Sequence, residues 1–131
     1  LAWLRLSGEA LERTLAPFRL AAEAGLPAIM VGHIACAALD PENPDTPASL
    51  SAAMVTGLLR ETWGYDGLVI TDDLNMKAIA GSLPEATARS LRAGCDAVMV
   101  CDPDMGRLRE IRNFLAAEAQ RDPLFAARLA E

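Results

Sequence analysis

Residues 67–79 read GLVITDDLNMKAI. A short apolar run, Gly67 to Ile70, stops at Thr71 and two adjacent carboxylates, Asp72 and Asp73. A carboxylate where a buried strand ends has several chemistries open to it. It can ligate Mg²⁺, which commonly takes one or two carboxylates plus substrate phosphates. It can act as a general base if burial raises its pKa. It can attack an anomeric carbon, as the nucleophile of a retaining glycosidase does. It can also do nothing more than cap a following helix. Two in a row separate these roles, because neighbours on an extended strand face opposite sides and one can cap while the other points elsewhere. Spacing alone does not choose among the three chemistries.

His33, the only histidine, ends another apolar run, AIMVG. A histidine there serves as a hydrogen-bonded structural residue or as part of a site. Asp102 and Asp104 flank Pro103 and read as acidic residues that complement a helix N-terminus. Cys36, Cys95 and Cys101 have no CxxC spacing, and with one histidine they do not compose a structural zinc site. They read as buried or incidental thiols of a reducing compartment.

The elements that must position these residues alternate in type. Residues 9–24 carry Leu11, Leu15, Phe18 and Ala22 near helical spacing; Pro17 is placed to kink or split that helix and Gly25 to end it. LPAIMVGHI is a strand ending near Gly32 and His33, followed by the Pro-rich acidic loop ALDPENPDTPAS. A helix follows, capped by Ser49 or Ser51, with Met54, Leu58 and Leu59 on its apolar stripe and Gly64 as its stop. GLVIT is the next strand, DDLNMKAIAG starts a short helix, and Pro84 opens a second, PEATARSLRAG. DAVMV is a third strand, and MGRLREIRNFLAAEAQ and DPLFAARLAE are the last helices.

Three consecutive βα units with apolar strands imply an α/β fold with a parallel sheet, and no domain boundary interrupts residues 1–131. Strand ends Gly32-His33, Thr71-Asp72-Asp73 and Cys101-Asp102 then share one edge of the sheet, the edge where such folds do chemistry.

With 52% hydrophobic residues in a 131-residue chain, one ordinary core is within reach and disorder is excluded. A net charge of −6 argues against a nucleic-acid surface, and no run approaches the ~20 apolar residues of a membrane-spanning helix.

GLVITDDLNMKAI resembles the nucleophile strand of family 3 glycoside hydrolases, in the β-N-acetylhexosaminidase branch, where Gly and three apolar residues precede Ser/Thr-Asp-Asp/Ala-Leu-x-Met. The β-glucosidase branch usually carries an aromatic residue where Asp73 stands. Pro17-Phe18, Met30 to His33, the PASLS...LLR segment and AGCD at Ala93 to Asp96 resemble further family motifs in the same order, from about Leu11 to about Asp102. The resemblance implies a (β/α)8 TIM-type barrel, of which this chain would form the part holding strands six to eight.

Under the resemblance, Asp72 matches the catalytic nucleophile, and His33 and Asp73 fall near the sugar as substrate-binding positions. It implies hydrolysis of O-glycosyl bonds with removal of terminal β-linked N-acetylglucosamine, without cofactor or metal, by a cytoplasmic enzyme of cell-wall recycling acting on peptidoglycan fragments. The branch's acid/base, a His–Asp pair following a KHFPGHG-like motif, has no match here. The chain is therefore expected to be part of a longer enzyme, and alone to be inactive and to self-associate through unpaired strand edges. The alternative from another class is a non-catalytic α/β module that binds phosphate or Mg²⁺ through Asp72 and Asp73 together, with a helix N-terminus for the anion.

Overall fold

The computed structural model describes residues 1–130. Its sheet is three-stranded and wholly parallel, in the order β2-β4-β5, from Ala28–Val31, Leu68–Asp73 and Ala97–Met99. Two shorter strands, β1 (Ala2–Trp3) and β3 (Ile34–Ala35), pair in parallel beside it. β2 thus stops at Val31. The chain breaks from the ladder at Gly32 and His33 and resumes pairing at Ile34 with a different partner, which divides the single strand expected from LPAIMVGHI.

Helix α1 spans Gly8–Glu23 and runs through Pro17 without dividing. It ends before Gly25, whose φ of 71° lies in the left-handed region that glycine occupies without steric cost. A 3₁₀ turn, Ala48–Leu50, precedes a helix over Ala53–Thr62 wound with π-type hydrogen bonds. Ser51 Oγ accepts from the Met54 amide near its start, so of the two serines expected to cap it, Ser51 does.

Helix α2 (Leu83–Ala93) carries a full capping box between Ser82 and Glu85, with Pro84 in its first turn and Gly94 at its C-terminal end. Helix α3 (Met105–Arg121) is capped by Asp104, whose Oδ1 accepts from the Gly106 amide at 2.7 Å. Asp122 serves α4 (Pro123–Ala130) in the same way. The helix expected directly after Asp73 does not form: residues 74–79 turn instead, with the Met76 amide bonded to the Asp73 carbonyl and the Ile79 amide to that of Met76.

One face of the sheet is covered. Ile29, Val31 and Val69 pack with Ala22, Val55, Leu59, Tyr65, Ala93 and Cys95 into the main core, so helices and sheet are held by apolar burial on that side. The alternate residues face the other way, and Met30 and Leu68 there are 57% and 45% exposed. By strand periodicity Ile70 and Asp72 belong to this open face. Among the described residues no helix is long and apolar enough to cross a membrane.

Candidate functional site

The site begins with an irregularity in β4. Ile70 pairs with Ala97 and Asp73 with Met99, so three steps on β4 oppose two on β5. Such a bulge bends the strand, re-aims side chains and leaves ladder groups without backbone partners. Side chains supply those partners here. Thr71, fully buried, accepts the Met99 amide on Oγ1 at 3.0 Å, and Asp73 Oδ1 accepts the Cys101 amide at 2.9 Å. The Leu74 amide then bonds the Met99 carbonyl at 3.0 Å and closes the ladder.

Asp72 sits in the bulge. Its Oδ1 accepts the Asp73 amide at 2.7 Å, while no hydrogen bond reaches Oδ2 from any described residue. Asp73 is occupied elsewhere: Oδ1 takes the amides of Asn75 at 3.0 Å and Cys101 at 2.9 Å. The pair expected from sequence thus divides into one carboxylate with an oxygen available on the open face and one that holds the backbone of two loops together.

His33 lies next to this strand end, two residues beyond Val31 on β2 as Asp73 is two beyond Thr71, Val31's partner on β4. It is 6% exposed. Nδ1 is 2.7 Å from Ser49 Oγ and Nε2 is 2.9 Å from the Asp73 carbonyl oxygen. A carbonyl only accepts, so Nε2 carries a proton. The neutral ring then accepts from the Ser49 hydroxyl on Nδ1. Both nitrogens, which a sugar contact would use, are paired within the chain.

Sequence reasoning passed over Thr71 and Ser49 as members of the site. Each was visible as a polar residue beside an apolar run, but only the fold shows that Thr71 completes a bulged ladder and Ser49 a histidine's second bond. Asp102 is remote from Asp72 in role: it accepts from the Asp104 amide and from Arg107 at 2.9 Å each. The Asp104 amide first, with Arg107 beside it, holds the Asp102 carboxyl below its usual range. Among the described residues, no three His, Cys, Asp or Glu side chains gather into a set able to hold a metal ion.

A second polar cluster occupies the opposite ends of the strands. Asp96 accepts from Arg60 at 2.6 Å, Arg128 at 2.8 Å and the Val69 amide at 2.7 Å. Burial pushes its carboxyl upward, but the bonds from Arg128, Val69 and Arg60 outweigh that and hold it below the ordinary range. Each of the three side chains has partners, and the cluster locks the start of β5 to the helices.

Parallel strands backed by helices, with a carboxylate presented where a strand leaves the core, define the class: an α/β domain of the kind found in TIM-barrel enzymes. Residues 7–127 match the model of the glycosyl hydrolase family 3 N-terminal domain, and the chain belongs to that family.

Among its relatives, a β-hexosaminidase of Thiobacillus denitrificans is 40% identical over 100 residues, covering 75% of this chain and 27% of the relative. One of Tolumonas auensis is 39% identical over 104 residues, covering 76% of this chain and 30% of the relative. The solved structure of a glycoside hydrolase family 3 β-N-acetylglucosaminidase from a Paenibacillus species superposes with a TM-score of 0.81 at 35% identity, over 96% of this chain and 24% of that one. The chain therefore spans between about a quarter and a third of the length of these relatives.

Proposed function

We propose that this chain builds the nucleophile side of a retaining β-N-acetylhexosaminidase site, with Asp72 as the nucleophile. One observation carries the reading. Asp72 stands in a bulge at the C-terminal end of a central strand, one oxygen held by the Asp73 amide and the other reached by no hydrogen bond from the described residues. A nucleophile needs that arrangement: an oriented carboxylate with a lone pair directed at the anomeric carbon.

In the first half of the reaction Asp72 Oδ2 forms an ester to the anomeric carbon while the glycosidic oxygen leaves with a proton from a general acid. In the second half water displaces Asp72 from that carbon. His33 does not supply the acid, because both its nitrogens are engaged and it is buried. In this reading the acid/base comes from a segment outside these 131 residues, and the chain alone is silent and self-associates.

The β-hexosaminidase and β-N-acetylglucosaminidase names of the relatives, with the family motif around Asp72, support terminal β-linked N-acetylglucosamine as the substrate. Peptidoglycan fragments handled in a cytoplasmic recycling step are the substrate source that the family resemblance implies.

A module binding phosphate or Mg²⁺ through both carboxylates fits less well. Asp73 Oδ1 is already committed to two amides, and the next α-helix along the chain starts only at Leu83.

The test is Asp72→Asn in the full-length protein. Hydrolysis of an aryl β-N-acetylglucosaminide is expected to fall by roughly three orders of magnitude or more with the fold retained. Near-normal turnover would refute the assignment.

A further inference from the structure

We infer that His33 is a positioning residue for Asp72, acting through Asp73 from a buried site that does not face the sugar; this rests on the reading of Asp72 as nucleophile.

The Asp72 carboxylate is oriented by one hydrogen bond, from the Asp73 amide at 2.7 Å. The direction of that amide depends on how the Asp73 residue is held, and the bulge has removed the regular ladder that would hold it. Four groups replace the ladder. The Cys101 and Asn75 amides grip the Asp73 carboxylate. The Met76 amide and His33 Nε2 grip its carbonyl, at 3.1 and 2.9 Å. With carbonyl and carboxylate both fixed, the Asp73 Cα frame is fixed, and so is its N–H.

Of these grips, Asn75 and Met76 belong to the turn that follows Asp73 and move with it. Cys101 and His33 come from other strands' ends, so they tie Asp73 to the sheet. His33 is in turn anchored from a third place. Ser49 is fully buried, its hydroxyl is 2.7 Å from Nδ1 and its own amide donates to the Gly32 carbonyl at 3.3 Å. Ser49 thus fixes the imidazole and the backbone just before it. The chain Ser49–His33–Asp73–Asp72 is one continuous run of hydrogen bonds from the core to the nucleophile. Among the described residues, no hydrogen bond reaches Asp72 Oδ2 at the end of this run.

The consequence for the reaction is specific. A residue that touches the sugar alters substrate affinity, whereas one that only aims the nucleophile alters turnover. A displacement of about 1 Å at a nucleophile can cost about a hundredfold in rate.

The experiment uses full-length enzyme, an aryl β-N-acetylglucosaminide as substrate, and thermal melting as the check on folding. His33→Ala is expected to lower kcat about 10²-fold with KM within about threefold of wild type. His33→Gln, whose amide N–H can take the place of Nε2–H toward Asp73, is expected to restore kcat to within about tenfold of wild type. Ser49→Ala keeps that donor and loses only its anchor, so it too is expected to stay within about tenfold.

A wild-type kcat for His33→Ala would overturn the inference. So would a raised KM at unchanged kcat, which is the signature of a direct sugar contact. Should His33→Ala fail to fold, His33→Leu, which fills the space without a donor, takes its place: a hundredfold lower kcat in natively melting His33→Leu than in His33→Gln supports the inference, and equal kcat in the two overturns it. Asp72→Asn measured alongside separates the two claims. If it is inactive and His33→Ala is not impaired, only the positioning role fails; if it is active, the reading of Asp72 fails.

Discussion

Asp96→Asn is a sharp test of what holds β5 in place beneath the site. The carboxylate accepts three short bonds, from Arg60, Arg128 and the Val69 amide, at 2.6, 2.8 and 2.7 Å. Its own amide donates to the Val69 carbonyl at 2.8 Å, so Asp96 grips β4 on both sides of one residue. Arg60 also bonds the Tyr65 and Gly67 carbonyls and so ties the loop that leads into β4. Asparagine keeps one acceptor oxygen, loses the charge and turns an NH₂ toward an arginine.

With its oxygen where Oδ2 takes Arg60 and Val69, asparagine loses the Arg128 bond outright and the charge behind the other two, charge-assisted bonds each being worth about 1.5–3 kcal/mol when well sheltered. The Arg60, Arg128 and Asp96 side chains are 23%, 26% and 29% exposed, which screens the pairs, and the bonds share one acceptor group. A net loss of about 2–3 kcal/mol follows. Hydrogen exchange at the Val69 amide reads this locally, and its protection should fall by about 30- to 150-fold if that opening is exposed to exchange.

The acid dependence has a definite sign. The folded Asp96 carboxyl lies below its unfolded value, so its stabilisation is complete above the unfolded pKa of ~3.9 and fades as pH falls through the folded one. The gap between wild type and Asp96→Asn should therefore narrow in acid. A change in protection below about threefold at neutral pH, or a gap that widens on acidification, would refute the reasoning.

Gly94→Ala is expected to cost about 1–3 kcal/mol in denaturant unfolding, because φ is 113° there and an added Cβ would meet Thr56 Oγ1 at 2.5 Å; an unchanged midpoint would contradict this. Alkylation of the native protein at neutral pH is expected to label Cys101, which is exposed, and to spare Cys36 and Cys95, which are buried. Burial, with Asp96 alongside, pushes the Cys95 thiol up to about 12, so it gains nucleophilic thiolate only far into the alkaline range; peptide mapping that finds Cys95 modified first would contradict this.

What the sequence made legible was local. Pro84 marked the start of α2 because a first-turn proline is a short-range device; the Ser82–Glu85 capping box and the left-handed Gly94 went unread. Asp72 could be singled out because a strand ending in two carboxylates breaks an apolar pattern. The roles of the two aspartates were separable only as a pair of options, since the amides that occupy Asp73 include one from Cys101, 28 residues on. The bulge was invisible for the same reason: it is a mismatch in count between β4 and β5, not a property of either strand. A turn at 74–79 stands where a helix was expected: Asp73 Oδ1 does take the Asn75 amide, but it also takes the Cys101 amide, 28 residues on, which no local pattern announces. The pairing of Ala2–Trp3 with Ile34–Ala35 depends on a chain reversal through α1 that two residues of sequence cannot announce.

The central claim is that Asp72 bonds covalently to the sugar. Full-length enzyme incubated with a fluorinated N-acetylglucosaminyl substrate that slows both steps but carries a good leaving group should accumulate a glycosyl-enzyme, and peptide mass spectrometry should find the added sugar on the segment Gly67–Lys77, at Asp72. Asp72→Asn should accumulate none. A sugar found on another carboxylate, Asp73 included, or turnover with inversion and no trapped intermediate, would contradict the account.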